Sequence, residues 1–424
     1  MTDTADTAPL LSRAPRSPWW ERDDPQWDDP LTDPQWPSRS RGRTGRSGRR
    51  FRSVDEAFER LTCDRRRPHA NNLLAAVGSW RHLNTGQLVA ITGSSRNTVL
   101  SYARDLADAG LLEIAVRPQE ADDVWRLPAR QGSSAGSDPT AALRRWVGSL
   151  TPGERFALTA GGDPGRGRRQ SHRHDLVAAE IGLRLMEARN DLAAVFGETH
   201  ASARAIFGTD QATAIADLCV VRGDGLRVAV EVVGHSTRAA LTDKILRWAR
   251  GYDETTARRA AANGRALTPR DWSPARNSHH QTGVIVVFVN AATTHHDTFA
   301  RNLRAAHADA LTASALSGSA TPATRRQVAL ARTQILLADW TEWAPTARAF
   351  TPAFVSLKAW GSPDGTRWEP VNVLDAGPGG IPFHPDPPDK FTHPAGAAQL
   401  LAATPEWFTN QTSFHHPRHY QPGT

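Results

Sequence analysis

Ile215-Ala216-Asp217-Leu218-Cys219-Val220-Val221 and Leu226-Arg227-Val228-Ala229-Val230-Glu231-Val232-Val233, joined by Gly223-Asp224-Gly225, decide how this chain folds. Each stretch is an apolar run of strand length, and the short Gly-Asp-Gly connection reads as an antiparallel hairpin. Each also carries one acid: Asp217 opens the first strand and Glu231 interrupts the apolar end of the second. A carboxylate among Val and Leu is costly to bury unless something charged meets it. A hairpin can bring two such carboxylates together, and the pair then suits Mg2+ or Mn2+, hard cations that take oxygen ligands and act on phosphate. The plainer readings are an Asp217 held by backbone amides and a Glu231 of purely structural use.

Outward from this hairpin, Val284–Val289 is a third apolar strand, Leu176–Ala188 and Thr237–Tyr252 are helices, and Val355–Trp360 with Thr366–Val371 form a second hairpin around Ser362-Pro363-Asp364-Gly365. Closer to the N-terminus, Ser53-Val54-Asp55-Glu56 is a capping box. A helix over Asn72–Val77 follows the break at Pro68. Thr85–Ile91 is the next helix, capped by Asn84 or Thr85, and Thr92-Gly93-Ser94 is a tight turn. Ser95–Ala109 is a further helix with Val99, Leu100, Ala103 and Leu106 on one face and Gly110 at its end. Leu111–Val116 and Val124–Leu127 read as two strands.

This order of helices, Gly turn and strands over residues 70–128 resembles the winged helix-turn-helix. In that arrangement the helix after the turn enters the major groove, its first residues at the base edges. The candidate DNA-binding residues are therefore Ser94, Ser95, Arg96, Asn97, Thr98, Ser101 and Arg104. Arg96 suits guanine and Asn97 adenine, or either can hold phosphate, and Arg104 suits the phosphate backbone. A helical bundle or a protein-docking module is the alternative.

Composition agrees with a polyanion partner. The 424 residues carry a net charge of +7, and 39% are hydrophobic. Two cysteines, Cys63 and Cys219, exclude a disulfide scaffold and a cysteine-based zinc site. No apolar run reaches membrane-spanning length and no signal peptide is read, so the expected location is cytoplasmic, with no membrane partner. Residues 1–52 read as a disordered tail that repeats Asp-Pro-Gln-Trp at residues 24–27 and 33–36 and then places seven arginines and no acid between Arg39 and Arg52. The Gly-rich run 161–169 lacks the Gly-Lys-Ser/Thr ending of a phosphate-binding loop. The histidine pairs 279–280, 295–296 and 415–416 lack the strand and downstream tyrosine of a tyrosine relaxase.

Between residues 70 and 345 the chain also resembles the PD-(D/E)XK nuclease fold. More narrowly, it resembles the replication-relaxation family of plasmid and conjugative-element proteins, neighbours of the MobC-type relaxases, which join a winged helix to such a core. The resemblance rests on Glu180 in His174-Asp175-Leu176-Val177-Ala178-Ala179-Glu180, on Ala216-Asp217, on Glu231, and on Lys244 and Tyr252 in the following helix. It implies a catalytic set of Asp217, Glu231, Lys244 and Glu180, with Asp217 and Glu231 holding Mg2+ or Mn2+. Val233 stands where the core motif carries lysine, so Lys244 is the substitute, with Arg238 the second candidate.

The expected architecture is α+β / α/β. It has a disordered tail over 1–52, a winged helix-turn-helix over 53–128 and a linker over 129–141. A PD-(D/E)XK restriction-endonuclease-like domain follows over 142–374, then an irregular tail over 375–424. The expected function is relaxase-like nicking at a transfer or replication origin. The alternative is a non-catalytic DNA-binding regulator or replication accessory protein with a degenerate nuclease core. Partners on either reading are double-stranded DNA, single-stranded DNA at an origin, and conjugation or replication proteins.

Overall fold

The computed structural model describes residues 53–116, 123–128, 140–159, 172–189, 191–203, 206, 213–223, 226–234, 236–262, 283–292, 295–344 and 350–381. Those residues form a mixed α+β protein that divides into two compact units at Met186/Glu187. The division lies well beyond the linker expected at 129–141. Helices α5 (Ala141–Gly148), α6 (Pro152–Thr159) and nearly all of α7 (His172–Ala188) therefore belong to the first unit, not to the sheet domain expected from residue 142. The Arg39–Arg52 arm, the Asp-Pro-Gln-Trp repeats, the Gly-rich run 161–169 and the histidine pairs 279–280 and 415–416 lie outside the described residues.

The first unit begins with α1 (Val54–Thr62), whose capping box is formed as expected: Glu56 N–H donates to the Ser53 hydroxyl and Ser53 N–H to the Glu56 carboxylate. Pro68 lies in the first turn of α2 (Arg67–Trp80), where its missing N–H costs nothing. Strand β1 (His82–Asn84) leads into α3 (Thr85–Thr92). Its cap is Asn84, whose side chain accepts from Gln87 N–H while Gln87 reaches back to Asn84 N–H. Gly93, at φ +61°, ends α3 in the left-handed conformation that glycine adopts without a Cβ clash. Helix α4 (Arg96–Asp108) starts at Ser95, which accepts from Thr98 N–H. Strands β2 (Glu113–Val116) and β3 (Val124–Arg126) then pair antiparallel, and β1 completes a three-stranded sheet in the order β1-β3-β2.

The second unit is a seven-stranded sheet in the order β10-β9-β8-β7-β6-β5-β4. Strands β4 (Leu192–Gly197), β5 (Leu218–Arg222) and β6 (Arg227–Val233) form an antiparallel meander. Helix α8 (Arg238–Ala262) then crosses over to β7 (Val284–Asn290), which runs parallel to β6. Helices α9 (His296–Ala310), α10 (Ala313–Ser317) and α11 (Pro322–Gln334) return the chain to β8 (Ile335–Asp339), parallel to β7. Strands β9 (Lys358–Gly361) and β10 (Glu369–Asn372) close the sheet as the expected hairpin.

Side chains alternate across a strand, so the odd-numbered residues of β5 and β6 share one face. On that face Cys219, Val221, Ala229 and Val233 pack with Leu241, Ile245 and Trp248 of α8 and with Phe299 and Leu303 of α9. Asp217 and Glu231 fall on the same face by the same arithmetic. The unit is tied off by two arginines, Arg222 buried and Arg189 half-buried. Arg222, at the end of β5, donates to the carbonyls of Val373 (3.4 Å), Asp375 (3.1 Å) and Ile381 (2.8 Å). Arg189 donates to the Leu374 carbonyl and the Asp375 carboxylate. Residues 375–381 are irregular, as expected, and are held to the sheet by these arginines.

Candidate functional site

The β5–β6 register pairs Leu218 with Val230, so one residue further would set Asp217 beside Glu231. The ladder changes there. Asp217 N–H donates to the Val230 carbonyl, and Asp217 Oδ2 accepts from Val232 N–H at 2.6 Å. The plainer reading of Asp217, a carboxylate held by backbone amide, is thus part of its environment. Glu231 is completely buried and Asp217 is 5% exposed. Helix α8 supplies the partners of Glu231. Trp248 Nε1–H donates to Oε1 at 2.6 Å, and the Lys244 ammonium stands 2.5 Å from Oε2. Lys244 and Trp248 are four apart and so share one helical face.

The electrostatics follow from this geometry. Burial pushes the Glu231 carboxyl up to about 7 against the pull of Lys244, and the neighbouring Asp217 charge pushes the same way as burial. Burial alone would lower the Lys244 ammonium, but Glu231, Asp217 and Glu198 hold it above the ordinary lysine range. Lys244 thus reaches Glu231 from the helix, while Val233 is buried in the apolar cluster.

The other proposed members have partners of their own. Glu180 belongs to the first unit, where Arg184 Nε holds Oε1 at 2.9 Å and Gln87 Nε2 meets Oε2 at 3.2 Å. It is not solvated on a helix face: it is buried, and both of its oxygens have partners within its own unit. Arg238 is spent on exposed Asp309 of α9. Tyr252 packs in the core, its hydroxyl facing the carbonyls of Val284 and Gln334. Sequence reading missed the role of Trp248, although its spacing from Lys244 was the available signal. It missed Glu198 as well, which no pattern marked.

On α4, Val99, Ala103 and Leu106 are buried, while Ser95, Arg96, Asn97 and Arg104 are exposed and Ser94, Thr98 and Ser101 half-buried. The helix is anchored from behind by Asp105, which is fully buried and bound by Arg60 Nε (3.1 Å) and an Arg66 terminal nitrogen (2.5 Å). Arg66 also stacks on Tyr102. A second buried acid, Asp175 of α7, is bonded by His82 Nδ1 (2.5 Å) and His174 Nδ1 (3.1 Å). Burial opposes its ionisation, but the two imidazoles outweigh that and hold the carboxyl well below the usual carboxylate range.

The donor set of the sheet unit does not fit a divalent cation as arranged. Such an ion needs several free oxygens. One Glu231 oxygen is taken by an indole N–H, the other faces an ammonium, and one Asp217 oxygen is taken by a backbone amide. Among the described residues no group of three or more His, Cys, Asp or Glu side chains is placed to hold a metal. None of the described helices is long and apolar enough to cross a membrane. No protein family, no curated protein and no solved structure matches the chain.

Proposed function

We propose that the chain is a DNA-binding protein serving transfer or replication of a mobile element. On this reading the first unit is a winged helix-turn-helix and the second a PD-(D/E)XK-like core that acts as a regulator or accessory without cutting. The observation that carries it is the face of α4: a capped helix behind a left-handed glycine, with Ser95, Arg96, Asn97 and Arg104 turned to solvent and Asp105 locked beneath. The strand-strand-strand-helix-strand order of β4–β5–β6–α8–β7, with Asp217 and Glu231 on neighbouring strands, supports the core assignment. The misfit to a metal ion supports the non-cutting alternative over nicking.

The test pairs binding with cutting on supercoiled plasmid that carries the DNA flanking the gene. Duplex affinity should fall with salt, with a log–log slope of about −0.9 per neutralised phosphate. Asn97→Ala should cost about 1–3 kcal/mol on the preferred site and much less on other sequences. Arg104→Ala should weaken all sequences alike and lower the salt slope by about 1. No open circle should form with Mg2+ or Mn2+. Metal-dependent open circle that Asp217→Ala abolishes would restore the nicking reading, and salt-independent or absent binding would remove DNA altogether.

A further inference from the structure

We propose that Asp217 and Glu231 form a cation site whose resident cation is the chain's own Lys244 ammonium. The inference deepens the reading of the core as non-cutting and rests on it. Three observations carry it. Glu231 Oε2 is fully buried and makes no aligned hydrogen bond, so what faces it is the positive charge of Lys244 at 2.5 Å. Its other oxygen is fixed by the Trp248 indole, which sets the plane of the carboxylate and aims Oε2 at the position the ammonium fills. Asp217 is pinned alongside by the Val232 amide and adds a second negative charge that acts on the same lysine.

An ammonium on a four-carbon stem is a compact point charge, which suits it to stand where an ion would. Its side chain is 24% exposed, while the Glu231 oxygen it faces is fully buried. The resident charge has two consequences. It offsets the negative charge that would draw another cation to the Glu231 oxygen left open by the indole. It also binds the first turns of α8 to β6, because breaking a buried pair leaves a carboxylate without compensation.

The experiment uses the full chain and Tb3+, an oxygen-seeking ion whose emission is excited by a nearby indole, here Trp248. Wild type should show no saturable emission that Asp217→Ala removes. Lys244→Met should gain a saturable signal, competed by Mn2+ and lost in Asp217→Ala/Lys244→Met. If Lys244→Met fails to fold, Glu231→Gln/Lys244→Met, which removes both charges, should restore the fold. A wild-type signal that depends on Asp217 overturns the proposal. So does a folded Lys244→Met with no gain, or a double variant that stays unfolded. DNA affinity, measured on the same samples, reports on the function proposed above: its loss in wild type with the ion result intact would sink that reading and leave this one standing.

Discussion

In the first unit Asp105 meets two arginines, Asp175 two histidines and Glu180 an arginine and an amide, while in the second unit Asp217 and Glu231 both draw on Lys244. The first arrangement matches or exceeds each acid with donors, which is how a scaffold tolerates buried charge. The second crowds two acids around one cation on adjacent strands. That crowding, rather than the mere burial of an acid, separates a candidate site from an internal strut. Glu180 illustrates the point. It is nearly as buried as Glu231, yet each of its oxygens is met by a donor of its own unit.

The sharpest way to break this contrast is Glu231→Ala. It strips the acceptor from the Trp248 indole and the counter-charge from Lys244, and should cost about 3–5 kcal/mol in urea unfolding. A cost below about 1 kcal/mol would make the pair incidental. Asp175→Asn should cost about 1–3 kcal/mol at neutral pH through lost hydrogen bonds. Its acid behaviour is the more telling readout. The folded carboxyl sits below the ordinary aspartate value of 3.8, so its stabilisation is present above that pH and is lost as pH falls below it. The asparagine variant should therefore show a shallower acid limb than wild type.

Glu231 runs with the opposite sign. Its folded value of about 7 exceeds the ordinary 4.5, so the folded state binds more protons than the unfolded one between those values. That group's share of stability falls as pH rises through the window, and Glu231→Gln should flatten the slope there. Thermal unfolding from about pH 2 to 8 for Asp175→Asn and Glu231→Gln, which spans both windows, would show whether the two units differ in this way. Parallel slopes would end the comparison. The smallest effect belongs to Gly93→Ala. Nothing crowds the position, so only the left-handed backbone resists, at about 1 kcal/mol, with α4 slightly loosened at its start.

Much of the fold was legible where local signals were strong. The Ser53 capping box, the Gly93 turn, the β5–β6 hairpin and the β9–β10 hairpin all form as the residues suggest. The domain boundary was not legible. The Gly-Ser-rich stretch 132–139 has the composition of a linker, but α5, α6 and most of α7 cluster with the unit before it, and composition says nothing about which neighbour a helix packs on. Of the candidate site, Asp217, Glu231 and Lys244 were readable because each is a charge in an apolar context or a rare lysine. The partners of Glu180 were not legible, for a physical reason. His82, Gln87, Asp175 and Glu180 are joined by long-range hydrogen bonds, which no helical or strand period encodes.

The strap held by Arg222 has a consequence for how the protein is made. The carbonyls that satisfy this buried guanidinium follow it by about 150 residues, so they leave the ribosome later by roughly 10–30 s. Until then the β5–β6 hairpin exists with an arginine that has nowhere to bury its charge. The sheet unit therefore completes its folding only after synthesis has passed Ile381, while the helical unit, finished two hundred residues earlier, is free to fold on the emerging chain. A nascent chain stalled before Val373 should accordingly carry a folded first unit and a protease-sensitive second one.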